Sequence, residues 1–243
     1  MDHTKSTDRK FGQEKSMANQ QDEYKRIVGE KAAEYVKDGM TVGLGTGSTV
    51  KWTILKLSEM VADGLRIRGM PTSNQTERLA TQCNIPLVDF SVVSELDLTI
   101  DGADEVNPSL DLIKGGGGAL LREKLVAAAS KQFIVVADES KLVKNLGNFP
   151  LPVEIVRFAW ETTEKRITDF GIEPTLRLKD NEPFVSDNGN YILDCRCGQI
   201  ENAADLHARL KAMVGVVETG LFIGMTETVI VGGAKGARLV SRR

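Results

Sequence analysis

Apolar positions along this chain keep two rhythms, a helical one near 3.6 residues and a strand-like one of two, and through the first half they alternate. From Asp22, the stretch DEYKRIVGEKAAEYVKDG sets Tyr24, Ile27, Val28, Tyr35 and Val36 on one helical stripe, with Gly39 placed as a C-cap. A strand at MTVGLG, a loop TGST and a helix through Val50, Ile54, Leu57 and Val61 form a strand-to-helix unit. Short strands are predicted again at LRIRGM, IPLVDF, LDLTID and QFIVVAD, with helical stretches QTERLATQC and GALLREKLVAAA between several of them. That alternation predicts a doubly wound, mostly parallel Rossmann-like α/β sheet.

Past the proline-marked passage NFPLPV the order changes. LPVEIVRF, WETTEKRITDFG, PTLRLKD, NYILDCRC, DLHARLKAMVG and VVETGLF read as strand, helix, strand, strand, helix, strand. This is the split βαβ order of a second, smaller ferredoxin-like α+β domain, with a polar hairpin, NEPFVSDNGN, between its middle strands. The last strand, TVIVGG, is expected to return to the first sheet. The expected organisation is a mobile N-terminal tail over 1–20, a catalytic α/β domain over 21–147 completed by 221–243, and the α+β domain over 148–220.

Composition narrows the function classes. With 31 Lys and Arg against 34 Asp and Glu the net charge is −3, which lacks the basic excess of a nucleic-acid binder. An anionic substrate must therefore meet local positive charge. The three cysteines, Cys83, Cys195 and Cys197, cannot all pair within one chain and show no zinc-ligand spacing, which fits a reducing cytoplasm. Cys195 and Cys197 alternate with Tyr191 and Leu193 as small apolar residues of one strand face. The first twenty residues have neither a signal peptide's apolar region nor apolar periodicity, and no run reaches membrane-spanning length. Neither targeting nor a membrane is expected.

Three motifs carry chemistry. GLGTGST, Gly43 to Thr49, lies where a strand hands over to a helix, so its backbone N–H groups could cradle a phosphate. It lacks a Walker lysine, and Ser48 stands where a dinucleotide fingerprint needs its third glycine, so a phosphate monoester suits it better than a nucleotide. A plain glycine turn capped by Thr46 or Ser48 is the alternative. DGAD, Asp101 to Asp104, follows LDLTI and so places two carboxylates at the carboxyl end of a strand, the ligand edge of such sheets. They could receive sugar hydroxyls, help to open a sugar ring, hold a cation, or merely shape a turn.

The third motif is KGGGGALLREK. Four consecutive glycines, Gly115 to Gly118, let backbone approach something closely, and a helix-prone segment follows whose first N–H groups suit a phosphate or a developing oxyanion. Glu123 lies about one turn into that helix, either as a solvated charge or as a catalytic base. The chain has only two histidines, His3 in the tail and His207 in a helix of the second domain. Proton transfer therefore falls to a carboxylate or a lysine. Lys141, after FIVVAD, and Lys25, on the first helix, are candidates to meet a phosphate.

In this order, GLGTGSTV, DGADEVN, IKGGGGALLREK, ADESKLV, FPLPVE, DNGNYILD and VGVVETGLF, the chain resembles the A type of ribose-5-phosphate isomerase from about Gln20 onward. The resemblance implies a cofactor-free, metal-free interconversion of ribose 5-phosphate and ribulose 5-phosphate in the pentose phosphate pathway. It also implies a homo-oligomer, usually a dimer, possibly a tetramer. By matching motif, Glu123 would move the proton between C1 and C2 through an enediolate, facing Lys114 and the amides of Gly115, Gly116 and Gly117. Asp101 and Asp104 would bind hydroxyls and assist ring opening, beside Gly102 and Ala103. Thr46, Gly47, Ser48 and Thr49 would contact substrate, while Lys141 and Lys25 would hold the phosphate. The fourth glycine, Gly118, stands where family members often carry alanine and is expected to loosen the helix start. Sugar-phosphate-sensing domains, phosphosugar deaminases and coenzyme A transferases are the competing classes, and the KGGGG…REK string speaks against the last two.

Overall fold

The computed structural model describes residues 20–242, and the expectation of a mobile tail over 1–20 falls, Gln20 apart, outside them, as does His3. Helix α1 occupies 20–33. It is followed by β1 (Thr41–Leu44), α2 (Val50–Ala62), β2 (Arg68–Pro71), α3 (Asn74–Gln82), β3 (Leu98–Gly102), β4 (Glu105–Val106), β5 (Leu112–Ile113), α4 (Leu120–Ala128) and β6 (Phe133–Asp138). Then come β7 (Leu151–Ile155), α5 (Trp160–Asp169), β8 (Glu173–Leu176), β9 (Leu178–Lys179), β10 (Glu182–Pro183) and β11 (Tyr191–Arg196). The chain closes with α6 (Ala203–Lys211), β12 (Val216–Thr219), β13 (Leu221–Phe222), β14 (Thr228–Gly233) and β15 (Gly236–Ser241).

The main sheet has the order β15-β14-β6-β3-β1-β2, parallel except for the β14/β15 pair. Its inner strands β1 and β6 are buried along their whole length, which is why they read as near-continuous apolar runs. Val42, Leu44, Ile100, Ile134 and Val136 pack there against Val28 and Ala32 of α1 and against Ile54 and Leu57 of α2. Each such aliphatic side chain contributes about 1.5–3 kcal/mol by leaving water. Because the chain leaves β1 for β2 on one side and reaches β3 on the other, a crevice opens at the carboxyl ends of β1 and β3, where ligands bind in folds of this class.

The second sheet, β12-β7-β11-β8, is antiparallel throughout and carries the β-α-β-β-α-β order expected of it. It has its own core of Leu151, Val153, Ile155, Ile167, Leu193, Cys195 and Leu210. On those two cores we propose the division into 21–147 with 221–243 and 148–220. Ile113, Leu146 and Leu221 join the second core from the first unit, so the seam runs through the small sheet β13-β5-β4.

Several elements differ from expectation. Helix α1 stops at 33 rather than running to Gly39, because the N–H groups of Tyr35 and Val36 bond back three residues to Ala32 and Ala33 and tighten the last turn. Gly39 instead takes φ +85° in the turn before β1. IPLVDF forms only a bridge from Gly69 to Leu87: Pro86 has no N–H to extend a ladder, and the Asp89 carboxylate accepts the Ser91 N–H at 2.8 Å and turns the chain. VVETGLF splits at Gly220 into β12 of one sheet and β13 of another, and PTLRLKD breaks at Arg177. The edge strand β15 follows TVIVGG through a tight turn.

Candidate active site

Strand β3 carries Asp101 to the carboxyl edge, fully buried. One oxygen, Oδ1, accepts the N–H groups of Thr46 at 3.0 Å and Gly102 at 2.7 Å and so ties the loop after β1 to the loop after β3. That close approach explains Gly45: a Cβ there would stand 2.2 Å from Asp101 Oδ1. The other oxygen lies 3.0 Å from Lys114 Nζ, as an ion pair outside hydrogen-bond geometry.

Lys114 leaves β5 with its backbone N–H bonded to Gly220 O and its ammonium pointing inward, 2 % exposed. Its Nζ donates to Gly102 O at 2.7 Å and lies 3.2 Å from Glu123 Oε1. Burial works against this ammonium, but the Asp101 and Glu123 carboxylates outweigh it and hold Lys114 charged. Glu123, on the first turn of α4, is 4 % exposed. Its Oε2 is buried with no hydrogen-bond partner among the described residues. Burial first, then the negative charge of Asp101, push the Glu123 carboxyl upward from the ordinary glutamate value, against the opposing pull of Lys114. The helix charge left open by the sequence is thus a buried, strongly perturbed acid, the environment in which general bases are tuned.

Lys114 and Glu123 border a cavity of about 200 Å³. Lys25, Thr46, Gly47, Ser48, Thr49, Gly102, Ala103, Asp104, Lys114, Gly115, Gly117, Glu123 and Lys141 all line it. Two candidates do not. Asp101 lies beneath the lining with its oxygens already engaged, and Gly116 turns its N–H away to Asp104 Oδ2 at 2.8 Å. Only the amides of Gly115 and Gly117 are therefore left to face a ligand from that run. Asp138 ends β6 and accepts the Ser140 N–H at 2.9 Å, which starts the 3-10 turn that brings Lys141 to the rim.

The comparisons with known proteins settle the family. The family model described as Ribose 5-phosphate isomerase A (phosphoriboisomerase A) matches residues 68–236. The chain is 58% identical over 215 residues to ribose-5-phosphate isomerase A of Bacillus mycoides strain KBAB4, covering 88% of this chain and 97% of that one. The chain belongs to the ribose 5-phosphate isomerase A family. It is accordingly an isomerase. Its fold is also similar to the structure of ribose 5-phosphate isomerase A from Methanocaldococcus jannaschii, with a TM-score of 0.86, 40% identity and coverage of 90% of this chain and 98% of that one. A D-ribose-5-phosphate isomerase solved in complex with phospho-erythronic acid gives a TM-score of 0.88 at 37% identity, covering 90% and 98%.

Within this family member, Gly118 does not loosen the helix start. It takes φ +81°, and its N–H closes a turn onto Gly115 O at 2.9 Å. A Cβ on Gly118 would meet the Phe184 ring at 2.4 Å. Gly118→Ala is therefore expected to lower stability by about 1–2 kcal/mol, through left-handed strain alone, and the thermal midpoint by a few degrees. An unchanged midpoint in a melting experiment would refute that account.

Sequence reasoning missed Gln21, Val50, Ala137 and Asp138 of the lining. It also missed the hydroxyls that hold Thr46: its Oγ1 lies 2.8 Å from Thr72 Oγ1 and 2.8 Å from Ser73 Oγ. Thr72 and Ser73 follow β2 at the same carboxyl edge as DGAD, so the rule that singled out DGAD could have found them. Gln21 carried no such signal. His207 lies away from the cavity, its Nδ1 2.7 Å from Thr219 Oγ1, and burial pushes it toward the neutral form. Burial pushes the Cys197 thiol up to about 11, so it is no ready nucleophile. Among the described residues no group of three or more His, Cys, Asp or Glu could hold a metal ion, and no helix is long and apolar enough to cross a membrane.

Proposed function

We propose that the protein interconverts D-ribose 5-phosphate and D-ribulose 5-phosphate through an enediolate, with Glu123 as the base. One observation carries this reading: a buried carboxylate, one oxygen of which has no hydrogen-bond partner among the described residues, borders a cavity whose near wall holds Lys114 and whose lining also includes the cations Lys25 and Lys141. In the open-chain aldose, Glu123 takes the C2 proton while negative charge gathers on O1. The same proton is returned to C1, and O1 gains the proton that O2 gives up, so aldose becomes ketose with no redox partner. Lys114 is charged, buried and already oriented, which lets it stabilise the enediolate without reorganisation. The amides of Gly115 and Gly117 add fixed donors on the same wall. Asp104, half-buried at the rim and held by the Gly116 N–H, would exchange a proton with a ring hydroxyl as the furanose opens. Lys25 and Lys141 would receive the phosphate at the other end.

The testing experiment follows ketose formation from ribose 5-phosphate by the purified chain, with EDTA present and no added nucleotide. Turnover is expected; a strict requirement for metal or nucleotide would overturn the mechanism. Because a base must be ionised and Glu123 titrates above the ordinary value of 4.5, the acid limb of kcat is expected to be displaced upward from that value. The substrate phosphate also titrates, with a second pKa of about 6. Glu123→Asp separates the two, since only a limb belonging to the base moves in that variant.

A further inference from the structure

The strand PTLRLKD is interrupted at a single residue, Arg177. At Arg177, between β8 and β9, the backbone N–H still donates to Ile192 O at 2.9 Å, while the side chain leaves the second sheet toward the glycine run, 62 residues away in sequence. Its guanidinium forks onto Asp194, Nε to Oδ2 at 2.9 Å and Nη2 to Oδ1 at 2.5 Å. The remaining nitrogen, Nη1, donates to the carbonyl of Gly115 at 2.8 Å and reaches that of Gly116 at 3.3 Å. The Arg177 side chain is 13% exposed, so water competes little for these bonds. Phe184 covers the group from the hairpin, its ring centroid 5.9 Å from the guanidinium carbon.

The peptide joining Gly115 to Gly116 is thereby held at both ends. A trans peptide points its carbonyl and its N–H in opposite directions. Arg177 takes the carbonyl, and Asp104 Oδ2 takes the N–H at 2.8 Å. A permanent cation on the carbonyl side polarises the peptide and strengthens its N–H as a donor. The run therefore continues from Asp194 through Arg177 and one peptide unit to a carboxylate on the cavity rim.

We propose that Arg177, oriented by Asp194, is a positioning residue of the isomerase: acting through the Gly115–Gly116 peptide, it fixes the Asp104 carboxylate for ring opening. This inference rests on the reading of the cavity given above. Lysine does not substitute for it, because one ammonium cannot fork onto Asp194 and reach the glycine carbonyl at once.

The test is steady-state kinetics with ribose 5-phosphate on wild type, Arg177→Ala, Arg177→Lys, Asp104→Ala and the Arg177→Ala/Asp104→Ala pair, with a thermal midpoint for each. Arg177→Ala is expected to lower kcat about ten- to a hundredfold with KM within about twofold, the signature of misplaced chemistry rather than lost binding. Arg177→Lys is expected to recover little. Adding Arg177→Ala to Asp104→Ala is expected to cost almost nothing more, because the group it acts through is already gone. Additive losses, a change confined to KM, or wild-type kcat in Arg177→Ala would each overturn the proposal. If Arg177→Ala does not fold, Asp194→Asn weakens the fork while keeping the guanidinium; it must then show the same kcat loss, and wild-type kcat there overturns the proposal as well. A wild-type chain that fails to convert ribose 5-phosphate would instead refute the reading of the cavity, so the two failures are told apart.

Discussion

Glu123→Gln is expected to lower kcat by about 10²–10⁴-fold, the range spanned by the loss of a general base, while leaving the fold intact. The amide keeps the shape of the carboxylate and can still meet Lys114, which lies 3.2 Å from Oε1. It removes the negative charge that burial and Asp101 disfavour in this pocket, so no loss of thermal stability is expected. What disappears is the lone pair at Oε2, the buried oxygen without a partner among the described residues. Circular dichroism and a melting curve check the fold, and the ketose assay checks turnover. Activity within a few-fold of wild type in a folded variant would move the base elsewhere.

Lys114→Met is the second large effect, and it strikes both stability and rate. The ammonium is 2 % exposed between the Asp101 and Glu123 carboxylates, the first fully buried and the second nearly so. Removing it leaves two negative groups almost wholly withdrawn from solvent, and breaking a buried ion pair from one side costs about 3–5 kcal/mol. The strain is relieved by proton uptake, and Glu123, whose pKa already lies high, is the group expected to take that proton. The variant is therefore expected to lose most of its turnover at neutral pH, with its residual activity displaced to more alkaline pH. Urea unfolding measures the first effect and a pH–rate profile the second. A variant of wild-type stability with an unshifted profile would mean that Lys114 does not neutralise this pair. Adding Asp101→Asn should restore part of the stability, since one charge then remains where there were two.

Much of this site is written in short stretches of chain. GLGTG places its loop after β1 and DGAD its carboxylates at and just past the end of β3 because strands end where their apolar runs end, and the parallel sheet aligns those ends along one edge. The glycine run and the start of α4 are equally local, since no spacing other than three to four residues is needed to set Glu123 on the first turn. With only two histidines in the chain, proton transfer falls to a carboxylate or a lysine on the sequence alone.

Other features depend on partners far apart in sequence. The charge on Glu123 could be read either way from REK, because a glutamate on a first helical turn looks the same whether it faces solvent or an interior. Its upward shift comes first from burial and then from the Asp101 carboxylate, brought in by β3, while Lys114, which leaves β5, opposes it. Thr46 looks like a ligand contact in GTGST, yet its hydroxyl is engaged with Thr72 and Ser73 beyond β2. Arg177 has no motif at all; its role exists only because the second sheet packs where its guanidinium meets Gly115 O.

The sequence by itself determined the alternation of helices and strands, the loops that meet at the carboxyl edge and the residue types gathered there. Those follow from local periodicity and from glycine's freedom to approach closely. The tertiary structure alone decided that the Glu123 carboxylate is buried against Lys114 at the cavity wall, which glycine amide is already engaged, and which distant arginine holds the loop. Burial, charge pairing and hydrogen-bond direction are properties of assembled surfaces, and no window of the chain contains both sides of them.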